Sequence, residues 1–105
     1  MSNPVSVYAV FADLAEAERI GRQIVEERLA ACVNILGPCR SIYRWEDDIE
    51  SATDTPAVFK TSRAQAESLV TRVAELHSYS VPSVSVWPIE HVPLPYAQWV
   101  EESVG

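Results

Sequence analysis

The chain has 105 residues, of which 48% are hydrophobic, and it carries a formal net charge of -7. This length fits one domain over residues 1–105, and the hydrophobic content excludes a disordered chain. The acidic charge argues against binding to nucleic acid phosphates or to anionic membranes.

The sequence predicts a cytoplasmic protein. It contains no run that approaches the roughly 18 apolar residues of a membrane-spanning helix. Residues 1–4 lack the basic stretch followed by an apolar one that marks a secretory signal. Cys32 and Cys39 are the two cysteines, and without an export signal we expect both thiols to be reduced.

The first two predicted elements are a buried strand and an amphipathic helix. Residues 5–11 are rich in β-formers. Asp13 and Glu16 have the spacing of a capping box, which predicts the start of a helix that ends near residue 29 or 30. One apolar face of this helix is predicted to pack on the core: Leu14, Ala17, Ile20, Gly21, Ile24, Val25 and Leu29.

A long hairpin is predicted next. Residues 31–45 are typical of a strand with a kink at Gly37 and Pro38, and residues 46–48 are typical of a turn. Residues 49–61 form the returning strand. Pro56 cannot donate to a ladder, so we expect it at an edge or a bulge.

The remaining elements complete a β-α-β-β-α-β order. Ser62 and Gln65 repeat the capping pattern before an apolar helix that continues to Leu76. Residues 84–89 are typical of a last strand, and residues 96–103 of a short C-terminal helix that follows Pro95. The order predicts an α+β fold, a ferredoxin-like sandwich with a long central hairpin.

The predicted hairpin is too long for a domain of this size. A strand over residues 31–45 would extend on the order of 45 Å. A compact domain of this length has a radius of gyration of only about 13 Å. The hairpin must therefore bend or project, and projecting strand edges need a partner. On this ground we predict an oligomer.

The combination of motifs resembles the CutA family of divalent-cation-tolerance proteins. The resemblance covers about residues 5–104 and implies a homotrimer joined through the long hairpins. It also implies a link to tolerance of copper and other divalent metals, and a signalling role like that of the similarly built PII trimers. It rests on residues 29–35 and 41–45, Lys60 with Thr61, His77 with Tyr79 and Pro82, and Tyr96 with Trp99.

The resemblance also concerns copper ligands. Some members of the family bind copper through a first-strand cysteine and two adjacent histidines. Ala9 and Leu76 replace two of these ligands, and His77 remains. Copper normally takes several nitrogen or sulfur ligands. We therefore expect weak binding of Cu(II) or another divalent cation, with His77 and Cys39 as the candidate ligands.

His77 and the acidic residues of the hairpin each have a structural interpretation as well. A histidine at a helix C-terminus, such as His77, is stabilised by the helix dipole. The acidic residues near the hairpin turn are predicted to be solvated, with weak binding of hard cations as the alternative: Glu46, Asp47, Asp48, Glu50 and Asp54.

Seven further residues form a second site hypothesis. Aromatic rings with a polar end, a lysine and a carboxylate are typical of a small polar pocket. The resemblance implies that they lie near clefts between subunits, and an interface is the favoured interpretation. A buried lysine among them would need a carboxylate such as Glu46 or Asp54. The seven are Tyr43, Trp45, Glu46, Lys60, Tyr79, Tyr96 and Trp99.

Enzyme signatures are missing from the sequence. It has no glycine-rich phosphate loop, no G-x-S-x-G motif and no H-E-x-x-H motif. We therefore expect a non-enzymatic homotrimer linked to copper or other divalent metals. The alternative is a PII-like signalling or scaffold trimer that binds a small ligand or a partner protein in its clefts.

Overall fold

The computed structural model describes residues 3–105, so Met1 and Ser2 of the predicted domain lie outside it. The described residues form one antiparallel sheet and three helices. The mixed α+β class is thereby confirmed. The elements are β1 (Val5–Phe11), α1 (Leu14–Glu26), β2 (Cys32–Ile35), β3 (Cys39–Trp45), β4 (Asp48–Thr61), α2 (Arg63–Leu76), β5 (Val84–Pro88) and α3 (Leu94–Ser103).

The longest strand, β4, organises the sheet. Its second half pairs with β1 on one side and with β2 on the other. Its first half pairs with β3, and β5 pairs with the free side of β1. The order is therefore β2-β4-β1-β5, with β3 in line with β2. No helix within residues 3–105 is long and apolar enough to cross a membrane.

The hairpin of β3 and β4 closes with a two-residue turn. Trp45 pairs directly with Asp48, so the turn is shorter than the predicted one and Asp48 belongs to β4. Glu46 and Asp47 have φ angles of 50° and 69°. Two consecutive residues with positive φ are typical of a type I′ turn, whose twist matches that of the flanking strands.

The predicted long strand over residues 31–45 is interrupted in the structure. It divides into β2 and β3, and the break includes the predicted kink at Gly37 and Pro38. The hairpin still extends from the body of the molecule, whose principal extents are 45 × 26 × 23 Å.

Pro56 lies in the interior strand β4 and not at a sheet edge, which corrects part of the prediction. Its partner in β1 is Val10, whose N–H bonds Ser83 O on the β5 side. On the other side of β4, Pro56 O accepts the Leu36 N–H in the break between β2 and β3. The missing proline N–H faces that break, so no ladder hydrogen bond is lost.

The core lies between the sheet and the helices α1 and α2. Inward residues of β1 and β4 meet apolar residues of both helices, as the period-2 and helical patterns require. All of these side chains are fully buried: Val7, Ala9, Phe11, Ala17, Ile20, Ile24, Ala57, Phe59, Leu69 and Val73.

Helix α1 differs from its prediction in the exposure of its first residue and in the position of its C-terminus. Leu14 is 54% exposed and leaves the predicted core face, whereas Glu16 is 7% exposed. The helix ends at Glu26 because the chain turns soon afterwards, where Arg28 adopts a φ of 61°. The Asp13 cap is confirmed, since its Oδ1 accepts the Glu16 N–H at 2.8 Å.

Candidate functional site

A cleft of about 750 Å³ opens between the hairpin and the loop that follows α2. The hairpin supplies one wall and the loop, residues 78–83, supplies the other, with the end of β1 at the base. The lining residues are Val10, Ser41, Tyr43, Arg44, Trp45, Glu50, Asp54, Ser78, Tyr79, Ser80, Val81 and Ser83.

The hairpin wall follows from strand alternation. Tyr43 and Trp45 are two residues apart in β3, so they lie on the same face. Glu50 is the register partner of Tyr43 and therefore lies on that face as well. Tyr43 is 40% exposed and Trp45 is 43% exposed, so both rings are accessible.

Tyr79 connects the loop to the hairpin. Its hydroxyl donates to Asp54 Oδ1 at 2.8 Å, and Asp54 is only 5% exposed. Burial, followed by the hydrogen bond to this carboxylate and its charge, raises the pKa of Tyr79 to about 12. The phenol therefore stays protonated near neutral pH and remains a donor.

His77 fixes the loop at the base of the cleft. Nδ1 lies 3.0 Å from the Tyr79 N–H and must accept from it, so the proton of the neutral ring is on Nε2. That N–H donates to Val10 O at 2.7 Å, and the ring stacks on Phe11 with centroids 5.2 Å apart. Both ring nitrogens are thus used within the chain.

Glu16 braces the same loop from α1. Its carboxylate accepts the Ala12 N–H and the Ser78 N–H, each at 3.1 Å, and lies 3.8 Å from His77 Nδ1. Burial alone raises its pKa, but the hydrogen bonds from Ser78 and Ala12 outweigh burial and lower it. The sequence indicated Glu16 only as a capping partner. The spacing of a capping box gives no information about the contact with Ser78, which is 62 residues away in the chain.

Cys39 lies beside the cleft and does not line it. Its register partner is Asp54, and its free thiol lies 3.9 Å from Ser41 Oγ. Within residues 3–105 no three His, Cys, Asp or Glu side chains lie close enough together to hold a metal ion. Ala9 is fully buried in the core. The residues of one chain therefore do not fit a copper centre at the positions that the resemblance indicated.

Within one chain, the seven residues of the second site hypothesis are not all brought together. Tyr43, Trp45 and Tyr79 line the cleft, whereas Glu46 is in the turn at the hairpin tip. The other three lie elsewhere: Lys60, Tyr96 and Trp99.

Lys60 lies near the end of β4, opposite Cys32 of β2, and Tyr96 and Trp99 lie in α3. Lys60 Nζ lies 3.5 Å from Asn34 Oδ1, and among the described residues no carboxylate lies within ion-pair distance of it. The sequence required a carboxylate such as Glu46 or Asp54 only for a buried lysine, and Lys60 is only half-buried in one chain. Tyr96 packs on Trp99, with ring centroids 5.9 Å apart.

Tyr96 also meets Cys32. Its hydroxyl lies 3.9 Å from the Cys32 sulfur. Burial, followed by the contact with Cys32, raises the pKa of Tyr96 to about 12. Cys32 is partly buried rather than fully enclosed, in line with its position at the start of a strand.

The chain matches the family model of the CutA1 divalent ion tolerance protein over residues 5–103. A curated relative, the divalent-cation tolerance protein CutA of Archaeoglobus fulgidus, is 37% identical over 93% of this chain and 95% of its own. Human protein CutA is 37% identical over 94% of this chain, which spans 57% of that relative. This chain belongs to the CutA1 divalent ion tolerance family.

A solved structure supports the same assignment. The structure of the periplasmic divalent cation tolerance protein CutA from Archaeoglobus fulgidus superposes with a TM-score of 0.93 at 35% identity. The match covers 97% of this chain and 99% of that one.

Proposed function

We propose that this protein acts in the tolerance of divalent metal ions as a cytoplasmic, non-enzymatic homotrimer with a ferredoxin-like fold. The observation that carries the proposal is the family match over residues 5–103. The strand order, with the two outer strands flanking β4 and β1, supports the ferredoxin-like assignment.

The hairpin supports the trimer. Ile42 is 72% exposed and Ile49 is 62% exposed, and both lie on the hairpin face opposite the cleft. Neighbouring apolar side chains on a projecting hairpin favour burial against another subunit. A trimer would bury them and protect the strand edges at the same time.

The metal contact in this proposal is weak or indirect. His77 is engaged at both nitrogens, and a Cu(II) ion would have to displace one of these hydrogen bonds. The alternative function is a PII-like signalling or scaffold trimer. The cleft favours it, because a cavity of about 750 Å³ is in the size range of small-molecule sites.

Native mass spectrometry with and without Cu(II) tests the metal contact. We expect a trimer that retains no Cu(II) in fixed ratio. Retention in a fixed ratio that His77→Ala or Cys39→Ser abolishes would instead show direct copper binding. Leu14→Ala, on the exposed side of α1, is the control that should change neither the oligomeric state nor the metal content.

A further inference from the structure

We infer that an ion pair joins neighbouring copies of this chain, in which Lys60 of one subunit meets Asp54 of the next. The inference rests on the proposed function, because it takes the trimer as given and names the charged contact that sets its interface. The partner that covers these two residues is therefore a second copy of this chain.

Both residues lie on the face of the sheet that the helices leave uncovered. Phe59 of β4 is fully buried in the core, on the side of the sheet that packs against α1 and α2. Side chains alternate along a strand, so Asp54 and Lys60 lie on the other side. We call this side of the sheet the open face.

Neither residue finds an opposite charge in its own chain. Asp54 is 5% exposed, and its side chain is hydrogen-bonded to a neutral group, the Tyr79 hydroxyl. Lys60 is half-buried, and its Nζ lies 3.5 Å from Asn34 Oδ1, at the outer limit of a hydrogen bond. Among residues 3–105 neither takes part in an ion pair. Because a charge removed from water is costly unless it is paired, each would gain from a partner.

The two residues cannot pair within one chain. They are six residues apart in β4, which separates them by on the order of 20 Å along the strand. An ion pair needs its charged atoms within about 4 Å of each other. In a ring of three subunits each interface joins two different patches of the same surface. The Asp54 end of one open face can therefore meet the Lys60 end of the next.

The charges of the open face are segregated, which favours this arrangement. Three carboxylates of β4 lie on it toward the hairpin: Asp48, Glu50 and Asp54. Among the described strands, Lys60 is the only Lys or Arg whose Cβ is on this face, because Arg40 and Arg44 alternate to the other one. Asp48 and Glu50 are exposed to solvent, so Asp54 is the carboxylate that gains most from a cation.

Aromatic rings occupy the open face between its two charged ends. Tyr8 is the register partner of Val58, which lies between Asp54 and Lys60 in β4. Its ring stacks on Trp87, with centroids 4.7 Å apart, and Trp87 is 48% exposed. An apolar and aromatic centre bordered by charged groups is typical of a protein interface.

Carbodiimide cross-linking of the unmodified protein tests the inference, because this reagent joins an amine to a carboxylate that touches it. Digestion of the covalent dimer, followed by mass spectrometry, should show Lys60 linked to Asp54. Such a link must connect two subunits, since the two residues are too far apart in one chain. A trimer in which Lys60 is linked to another carboxylate, or to none, would overturn the inference.

A double-mutant cycle measures the same contact without a reagent. Lys60→Met and Asp54→Asn each leave one charge without its partner, so each should raise the protomer concentration of half-dissociation at least tenfold. The double variant should raise it by less than the product of the two single effects. Arg22→Met, exposed on α1, is the control and should change it less than twofold. Single effects that simply multiply would mean that the two residues do not meet.

These outcomes separate the ion pair from the proposed trimer. An intact trimer with no Lys60 link and independent single effects would overturn the ion pair and leave the trimer standing. An unmodified protein that is monomeric at low micromolar concentration would contradict the proposed trimer, and the ion pair with it.

Discussion

Single hydrogen bonds decide the shape of the cleft. Tyr79 is held through its backbone by His77 and through its hydroxyl by Asp54. Glu16 holds the adjacent Ser78 N–H. Three side chains, from α1, from the C-terminal cap of α2 and from β4, therefore fix the loop that forms one wall, and each can be tested separately.

Tyr79→Phe removes the hydroxyl that bonds Asp54. We expect it to lower the free energy of unfolding by about 1 kcal/mol, because a buried carboxylate loses a donor. Urea unfolding at fixed protomer concentration measures the change. Tyr43→Phe is the matched control, and equal losses in the two variants would mean that the Asp54 contact contributes nothing specific.

The pH dependence of stability reports on Glu16. Its pKa is lower in the folded chain than in the unfolded chain, where the ordinary value is 4.5. Its stabilisation is therefore complete above pH 4.5 and is lost as the pH falls through the lowered folded value.

Glu16→Gln should remove part of this acid dependence. We expect the loss of stability below pH 4.5 to become shallower, and stability at pH 7 to fall by about 1–3 kcal/mol because the Ala12 and Ser78 N–H groups lose an ionised acceptor. Thermal unfolding between pH 3 and 7 measures both effects. Glu18→Gln, exposed on the same helix, should show neither.

At the scale of elements, the turn of the long hairpin carries residues that do not suit its backbone. Glu46 and Asp47 both have positive φ, where Asn and Gly are favoured. Replacing both, as Glu46→Asn with Asp47→Gly, should stabilise the protein by about 1 kcal/mol. Chemical unfolding checks this, with Asp48→Gly in the adjacent strand expected to destabilise; an unstabilised double variant would contradict the turn assignment.

Helices and their caps were predicted well, because the patterns that mark them lie within a few consecutive residues. The caps at Asp13 and Ser62 are confirmed, with the Ser62 Oγ accepting the Gln65 N–H at 3.3 Å. α2 agrees with its apolar spacing, and α3 begins two residues earlier than predicted. Strand pairing was harder to predict from the sequence. Pro56 is tolerated inside the sheet because the neighbouring strands β2 and β3 are interrupted beside it, and the sequence of β4 alone does not show that interruption.

The candidate site was only partly predictable for the same reason. Tyr43, Trp45 and Tyr79 were identified as polar aromatics, and they line one cleft. Lys60 was grouped with them, yet its register partners are Cys32 and Ser6, at the far end of β4 from the hairpin. A sequence pattern gives residue types, whereas register decides which of them meet.

At the scale of the whole molecule, apolar surface on the hairpin supports the proposed assembly. Ile42 and Ile49 remain exposed, and Trp45 is 43% exposed near the tip. The elongated shape leaves these residues outside the core of their own chain. A partner subunit would supply the packing that the single chain lacks.

Trp45→Ala should weaken the proposed trimer. Loss of an aromatic anchor in a buried contact commonly costs about 2 kcal/mol or more, so dissociation should move into the low micromolar range. Sedimentation velocity across protomer concentrations measures it, with Leu14→Ala on the outer face of α1 as control. A fully trimeric variant at low micromolar concentration would mean that Trp45 does not anchor the interface.

The native mass of the unmodified protein tests the central claim most directly. Sedimentation equilibrium at low micromolar concentration should give one species of three times the 11.7 kDa chain mass. Such a species would agree with a CutA1 family member assembled through its long hairpin. A single species of 11.7 kDa under the same conditions would contradict the assembly and the role given to the hairpin.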